Sequence, residues 1–325
     1  MTKFKRFFIL MAVVAMTLGA CEQKDKLILY TSLPERDMQI LLRDFRRVYP
    51  NVDLAFFRSH TNELITKLKA ELMAGNPKAD LIMIADDAMM EELKDGQHLE
   101  PLPDLDVSQF PKNTYDKDRT FFGIAIIGTG LVCHKDFTTQ STSLHYLNSP
   151  EMKDNICMPS PVFSGSAAVN LSIIALQKDF GWPFWEKFIK NNPLLVKGNG
   201  AVLDTVIKKG CKCGLLVDSM ALAAIKDGAG LSFHYFKEGT PVFHHPVAVL
   251  KTSKRIEKAK MFAAFVTSKD GQEALARLGY RPIRMDVKPP KSFDDVSGFS
   301  EMQADNHAIL ERIHKDRENF AKNVH

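Results

Sequence analysis

Three stretches of the chain place small hydroxyl residues where an extended run gives way to a helical one. Thr31-Ser32 precedes PERDMQ, Ser59-His60-Thr61 precedes NELITKL, and Ser164-Gly165-Ser166 opens SAAVNLSIIAL. Backbone N–H groups in a first helical turn have no partner inside the helix, and the helix dipole puts partial positive charge there. Such a position suits an anion; glycine admits close approach, and serine and threonine add hydroxyl donors. The competing role for any one of these serines is a helix N-cap. A single dipole contributes only about 0.3–1 kcal/mol, whereas micromolar affinity corresponds to about 8 kcal/mol. An anion site therefore needs several starts converging on one cleft, with charge-assisted hydrogen bonds at roughly 1.5–3 kcal/mol each.

Two carboxylates stand where a strand-like run ends and a helix begins: Asp218 after CGLLV and Asp86 after ADLIMIA. The carboxyl end of a strand faces the crevice of an open α/β sheet, so each is a candidate for an amine or sugar hydroxyl, with helix capping as the alternative. Arg58 could pair with phosphate, with a surface arginine as the plainer reading. His234, His244 and His245 read as hinge or surface residues, because no carboxylate or cysteine accompanies them at metal-site spacing.

The elements that position these residues alternate. KLILYTS leads into a helix with Met38, Leu41, Leu42 and Phe45 on one face, and DLAFFRS into one with Leu64, Ile65, Leu68 and Leu72. ADLIMIADD followed by AMMEELKDG repeats the order, as does the set from NICMPSP to MALAAIKDG. Strands alternating with helices imply an α/β fold with largely parallel sheets. Two longer extended runs, FFGIAIIGTGLVCHK and TPVFHHPVAVLK, flank the second set, so the chain leaves a first lobe and returns to it. The expected organisation is one lobe from residues 27–125 with 246–325, including the C-terminal helices, and a second from 126–245 with hinge strands at both ends.

The first twenty residues read as a secretion signal: Lys3, Lys5 and Arg6 precede the apolar FFILMAVVAMTL. Leu18-Gly19-Ala20-Cys21 resembles the lipobox of bacterial lipoproteins, which implies an acylated Cys21, a short tether over residues 21–26 and a lipid-anchored protein on the outer face of a membrane. Without that segment three of the 43 Lys and Arg residues leave while all 39 acidic ones remain, so the body is close to neutral. A nucleic-acid binder would carry a concentrated basic face. Cys133, Cys157, Cys211 and Cys213 follow in a compartment that permits disulfides; four cysteines allow three pairings. Cys211-Lys212-Cys213 lacks a second pair at zinc spacing, which favours a structural role.

Taken together, LILYTSLPERDMQILLRDFRRVYP, ELITKLKAELMAGNPKADLIMIADDAMMEEL, FSGSAAVNLSIIAL, KGNGAVLDTVIKKGCKCGLLVDSMA and the long stretch from EGTPVFHHPVAVLK to ARLGYRPIR resemble the extracellular solute-binding proteins of ABC importers, in the branch serving ferric iron, phosphonates and sugar phosphates. The resemblance implies a two-lobed type II periplasmic-binding-protein fold with a hinge of two crossing strands, permease and ATPase partners, and a monomer without cofactor. It also implies that Ser32, Ser59 or Thr61, and Ser164, Gly165 and Ser166 hold a phosphoryl group. Iron binders of this branch use a histidine, a carboxylate and two adjacent tyrosines. Here no two of the six tyrosines are neighbours, the tyrosine pair falls on Met220 and Ala221, and the histidine on Pro34, leaving Asp86 or Asp87 as the carboxylate.

The chain is accordingly expected to capture a small phosphorylated or phosphonate anion of the 2-aminoethylphosphonate, hexose phosphate or pyridoxal phosphate type, with no metal. The alternatives are a ferric-iron carrier, a secreted phosphoester hydrolase, or a receptor without an importer. G-x-S-x-G is absent, as is the phosphate-loop signature, and GTGLVC and GNGAVL lack the third glycine of a dinucleotide site, which argues against an enzyme.

Overall fold

The structure is a computed structural model that describes residues 26–296, 298–302 and 304–324. The signal segment and Cys21, with the tether up to residue 25, lie outside the described residues.

The first three strand–helix units form as the periodicity predicts. β1 (Leu27–Thr31) runs into α1 (Glu35–Val48), β2 (Leu54–Arg58) into α2 (Thr61–Met73), and β3 (Leu81–Met83) into α3 (Asp87–Asp95). α1 buries Met38, Leu41, Leu42 and Phe45, the four residues its spacing puts on one face, and α2 buries Leu64, Ile65 and Leu68. β1 pairs in parallel with β2 on one side and β3 on the other.

Two long strands then tie this sheet to a second one. β4 (Phe121–His134) and β9 (Thr240–Val249) pair antiparallel, with a register irregularity between Gly123 and Ile126. β9 also pairs with β3. The far half of β4 pairs with β7 (Cys213–Val217) and β8 (Leu231–His234). β7 continues in parallel to β5 (Ile156–Pro159), and β5 to β6 (Leu194–Val196). The path β2-β1-β3-β9-β4-β7-β5-β6 thus has a parallel set at each end and the two antiparallel crossing strands between them. The helices of the second set are α4 (Gly165–Leu176), α5 (Gly181–Lys190), α6 (Asn199–Ile207) and α7 (Asp218–Lys226). α4 is buried along its length from Gly165 to Ala175, so it forms the interior of its layer. α8 (Ile256–Thr267) and α9 (Lys269–Arg277) return to the first sheet and pack beside α1, where Phe45 meets Phe262 and Phe265.

The four cysteines are joined as Cys133–Cys213 and Cys157–Cys211. Cys133 and Cys213 are register partners on β4 and β7, so the first bond staples one strand pair; the second ties β5 to the turn before β7.

The C-terminal helix departs from the expected organisation. α10 (Asn306–Asn323) was assigned by sequence to the first lobe, yet Ile309, Ile313 and Phe320 share a core with Leu171, Ile174 and Trp185 of the second. Two consecutive residues divide its anchorage. Asp316 accepts hydrogen bonds from Ser172 Oγ at 2.7 Å and Trp182 Nε1 at 3.1 Å, and Arg317 reaches Asp86 at the start of α3 at 3.4 Å. The helix straddles both sets of elements because its apolar stripe and its charged edge point to different ones.

Candidate functional site

Turns at the carboxyl ends of β1, β2, β3, β5, β6 and β7 border one cavity of about 340 Å³, with Ala85 the contribution of the turn after β3. Ser32, Leu33 and Pro34 come from the turn after β1, and Arg58, His60 and Thr61 from that after β2. Ser164 and Ser166 follow β5; Lys197, Gly198, Asn199 and Gly200 follow β6; Val217, Ser219 and Met220 follow the end of β7. Ile127 of β4, His245 of β9 and Tyr280 close the wall. The parallel ends of the two sheets face one another across the crossing strands, which is why strand ends far apart in sequence meet.

The polar part of the wall is rich in hydroxyl, amide and cationic side chains. Ser164 caps α4, its Oγ accepting from Ala167 N–H at 3.3 Å, and it lies 3.0 Å from Ser166 Oγ. Capping and cavity lining are therefore one position, not alternatives. Asn199 Nδ2 donates to Ser166 Oγ at 2.9 Å, linking the starts of α4 and α6. Ser32 Oγ accepts from Ala85 N–H at 3.2 Å. Among the described residues, no side chain caps the starts of α1, α2 or α6, so their first N–H groups keep their donor capacity.

Charge in the wall is one-sided. Arg58 and Lys197 line the cavity, and among the described residues no aspartate or glutamate does. Lys197 pairs with Glu63 of α2 at 3.0 Å. Burial, reinforced by the Arg58 charge, lowers the pKa of His60, which favours its neutral form. The Tyr280 hydroxyl donates to Asp37 at 2.6 Å, and burial raises its pKa well above the usual phenol value, so it stays a phenol.

The cavity gathers four of the six expected phosphoryl ligands: Ser32, Thr61, Ser164 and Ser166. Ser59 turns away and donates to Glu63. Gly165 sits at a contact between the two sets of elements, where a Cβ would stand 2.6 Å from Thr61 Cγ2. Asp218 and Asp86 are wholly buried and are not part of the wall. Asp218 accepts from Ser219 N–H at 2.7 Å, Tyr235 Oη at 3.0 Å and Gly128 N–H at 3.1 Å, so it fastens the start of α7 to a crossing strand. Burial raises its pKa to about 6, against the opposing charge of Arg281. Asp86 caps α3 through Met89 N–H and meets Arg317.

Sequence reasoning passed over Lys197-Gly198-Asn199-Gly200. The signal was there: glycines on both sides of a small amide, preceded by lysine, between a strand and a helix. Measured only against the full dinucleotide fingerprint it fails; as a bare helix start that admits close approach it succeeds. His245, too, was read as a hinge or surface residue. It lies in a crossing strand as expected, but is 4% exposed and lines the cavity.

Among the described residues no group of three or more His, Cys, Asp or Glu side chains is disposed to hold a metal ion, and no helix is long and apolar enough to cross a membrane. No curated relative matches the chain. Solved structures do. The ferric binding protein from Campylobacter jejuni is 22% identical, with a TM-score of 0.79 over 91% of this chain and 99% of that one. The periplasmic binding protein AfuA from Actinobacillus pleuropneumoniae, solved with exogenous fructose-6-phosphate bound, is 17% identical, with a TM-score of 0.81 over 93% of this chain and 99% of that one. A substrate binding protein of an ABC transporter from Agrobacterium tumefaciens is 17% identical, with a TM-score of 0.81 over 95% and 96%. The fold is that of the type II periplasmic binding proteins. The family model described as bacterial extracellular solute-binding protein matches residues 76–298, more than half of the sequence, and the chain belongs to that family.

Proposed function

We propose that the chain is the substrate-binding component of an ABC importer, held at the membrane by a lipid on Cys21, and that it captures a small phosphorylated or phosphonate organic anion between its lobes. It acts as a carrier: the ligand is bound and handed unchanged to permease and ATPase subunits. The observation that carries the reading is the composition of the cavity wall, where hydroxyls and an amide from separate helix starts stand with Arg58 and Lys197 and, among the described residues, without one acidic residue. A dianionic phosphoryl group accepts that many donors at once. Three or four charge-assisted bonds, at roughly 1.5–3 kcal/mol each, sum to about 5–12 kcal/mol; micromolar affinity, about 8 kcal/mol, therefore needs burial of the organic part as well to offset the cost of association. Leu33, Ile127, Val217 and Met220 offer apolar surface to the organic part.

Ferric binding proteins share this fold, and ferric iron makes a different demand. A hard trivalent cation wants carboxylate and phenolate oxygens. Here a thioether, Met220, occupies the wall after β7, and Tyr280, the one tyrosine in the wall among the described residues, donates its hydroxyl hydrogen bond to Asp37. The arrangement favours an anion.

Contacts already cross the cleft. Asn62 Nδ2 donates to the carbonyls of Val162 at 2.6 Å and Pro161 at 3.3 Å, beside the Glu63–Lys197 pair. A ligand touching both sides would shift an open–closed equilibrium toward this form, because it makes all its contacts only there.

Thermal unfolding of the purified protein against inorganic phosphate, organic phosphates, phosphonates and ferric citrate tests the proposal. A ligand at 100 times its dissociation constant adds about 2.7 kcal/mol of stability. Stabilisation by phosphorylated compounds and none by ferric citrate is expected; the reverse pattern, or turnover of a phosphoester, overturns the reading.

A further inference from the structure

The parallel strands of the first sheet begin at the end away from the cavity, and the chain enters the described fold there. Leu27 is the register partner of Leu54 and its N–H donates to the Asp53 carbonyl at 2.9 Å, while Asp80 N–H donates to the Ile28 carbonyl at 2.8 Å. The starts of β1, β2 and β3 therefore lie side by side. β9 ends beside them, where Leu250 N–H donates to the Asp80 carbonyl at 2.9 Å. From this edge the five residues of β1 rise to the turn that borders the cavity, roughly 17 Å for a strand of that length.

The side chains collected at this edge are mostly cationic. Lys26, Arg46, Arg47, Lys78, Lys251 and Lys254 are all exposed. Arg46 is fixed beside β2 by a hydrogen bond to the Leu54 carbonyl at 3.4 Å. Lys26 pairs with Asp53 at 3.5 Å and Arg47 with Asp44 at 3.2 Å, whereas among the described residues Lys78, Lys251 and Lys254 make no ion pair. The exposed carboxylates in the same turns are Asp53 and Asp95, and Glu257 in the first turn of α8 is paired with Lys260 at 3.1 Å. Cations are thus in local excess on a body that is close to neutral as a whole. Two apolar side chains stand out among them: Met73 at the end of α2 is 90% exposed and Val48 at the end of α1 is 49% exposed. Basic residues around exposed apolar ones suit the boundary between anionic headgroups and acyl chains.

Cys21 precedes Lys26 by five residues, which reach at most about 18 Å when fully extended. A lipid on Cys21 therefore keeps this edge, rather than the cavity, next to the headgroups. We propose that the basic edge at the starts of β1, β2 and β3 rests on an anionic lipid surface, with Met73 and Val48 turned into the headgroup layer and the cavity held clear of the membrane. The lipid sets the distance and the edge sets the orientation. The distance rests on the Cys21 reading above; the charge of the edge does not. Attraction of this kind acts within a Debye length, about 10 Å at about 0.1 M salt, and each cation near the surface raises affinity about fivefold.

Vesicle sedimentation of the full chain from residue 21, with Cys21→Ser so that it carries no lipid, tests the edge by itself. Vesicles of equal parts phosphatidylcholine and phosphatidylglycerol are expected to bind the protein at about 0.1 M salt and release it at about 1 M, where the Debye length falls to about 3 Å. Vesicles of phosphatidylcholine alone should not bind it. Lys78→Gln with Lys251→Gln and Lys254→Gln should lower the affinity for the anionic vesicles by about 100-fold, three factors of about five. The same charge removed from exposed lysines of the second set of elements, by Lys187→Gln with Lys190→Gln and Lys208→Gln, should leave binding unchanged. Ser32→Ala with Ser166→Ala should also leave it unchanged, because the headgroup phosphate does not enter the cavity. No binding to anionic vesicles, binding indifferent to headgroup or salt, equal loss in both lysine variants, or loss in the serine variant each overturns the proposal. Mass spectrometry of the full chain extracted from membranes tests the anchor separately. Absence of an acyl group on Cys21 overturns that reading, while salt-sensitive binding of the lipid-free chain still supports the edge.

Discussion

Thr61 and Gly165 meet across the cleft so closely that a Cβ on Gly165 would stand 2.6 Å from Thr61 Cγ2 and 2.7 Å from Thr61 Cβ. Both belong to first turns of helices, α2 and α4, whose starts border the cavity. Glycine at this position is therefore a condition of closure, not of helix formation, since alanine is the better helix former. Gly165→Ala should leave each lobe folded while holding the two apart. Ligand affinity should fall by about tenfold or more, because the closed form becomes a minor population. Small-angle scattering with saturating ligand should show a larger radius of gyration than wild type, and Thr61→Gly in the same chain should restore compaction. An unchanged affinity would mean that Thr61 and Gly165 do not govern closure.

The hydroxyls form a chain rather than a set. Asn199 donates to Ser166, and Ser166 lies 3.0 Å from Ser164. Ser32→Ala with Ser166→Ala should weaken all phosphorylated ligands alike, by about 100-fold or more, since each removes a donor to a charged group worth roughly 1.5–3 kcal/mol. Asp218→Asn changes no group in the cavity wall and should leave the ranking of ligands unaltered. Calorimetric titration of the double variant against three phosphates of different organic part checks this. Loss confined to one of them would place the serines against the organic moiety instead.

How the site was legible, and where legibility stopped, follows from what each signal depends on. The α1 face of Met38, Leu41, Leu42 and Phe45 is set by helical period and burial, both local to the sequence, and it formed as read. Ser32, Thr61, Ser164 and Ser166 reach one cavity because hydroxyls at strand-to-helix turns mark helix starts, and parallel strands bring those starts to one edge. Ser59 and Asp218 failed to reach the cavity for a reason no spacing encodes: a one-residue rotation at a helix start decides whether a side chain turns to the cleft or to a neighbour. Ser59 found Glu63, and Asp218 found Tyr235 and the Gly128 amide, ninety residues away in sequence. His245 was hidden because its place in the wall depends on which face of β9 meets the cavity, and that is fixed by pairing with β3 and β4.

Asp218 gives stability a defined pH dependence. Its folded pKa is raised to about 6 by burial, from an ordinary value of 3.8. Below that ordinary value both folded and unfolded carboxyls are protonated and the group contributes nothing. As pH rises toward 6, the unfolded carboxyl ionises first, so the unfolded state is favoured and stability falls. Above about 6 the penalty is constant, on the order of 3 kcal/mol. Asp218→Asn removes the ionisation, so the difference in stability between variant and wild type should change between about pH 4 and 6 and be flat above. Urea unfolding at half-unit pH intervals measures that difference; a difference independent of pH would mean that Asp218 ionises normally in the folded protein.

Asp86 and Arg317 make the second such case, with the sign carried by a partner. Asp86 is fully buried, and burial raises its pKa to about 6 even though the Arg317 guanidinium opposes the rise. Arg317 comes from the C-terminal helix, one residue after the Asp316 that anchors the same helix to Ser172 and Trp182. Arg317→Met strands the carboxylate, and breaking a buried pair from one side costs about 3–5 kcal/mol. The remaining carboxyl can escape by taking a proton, so the loss should be largest at pH 8 and smaller at pH 5. Arg317→Met with Asp86→Asn leaves no charge to strand and should recover most of the stability at pH 8. Denaturant unfolding of wild type, both single variants and the double variant at the two pH values closes the cycle. If the double variant is as unstable at pH 8 as Arg317→Met alone, the ion pair contributes nothing, and α10 is held only by the packing of Ile309, Ile313 and Phe320.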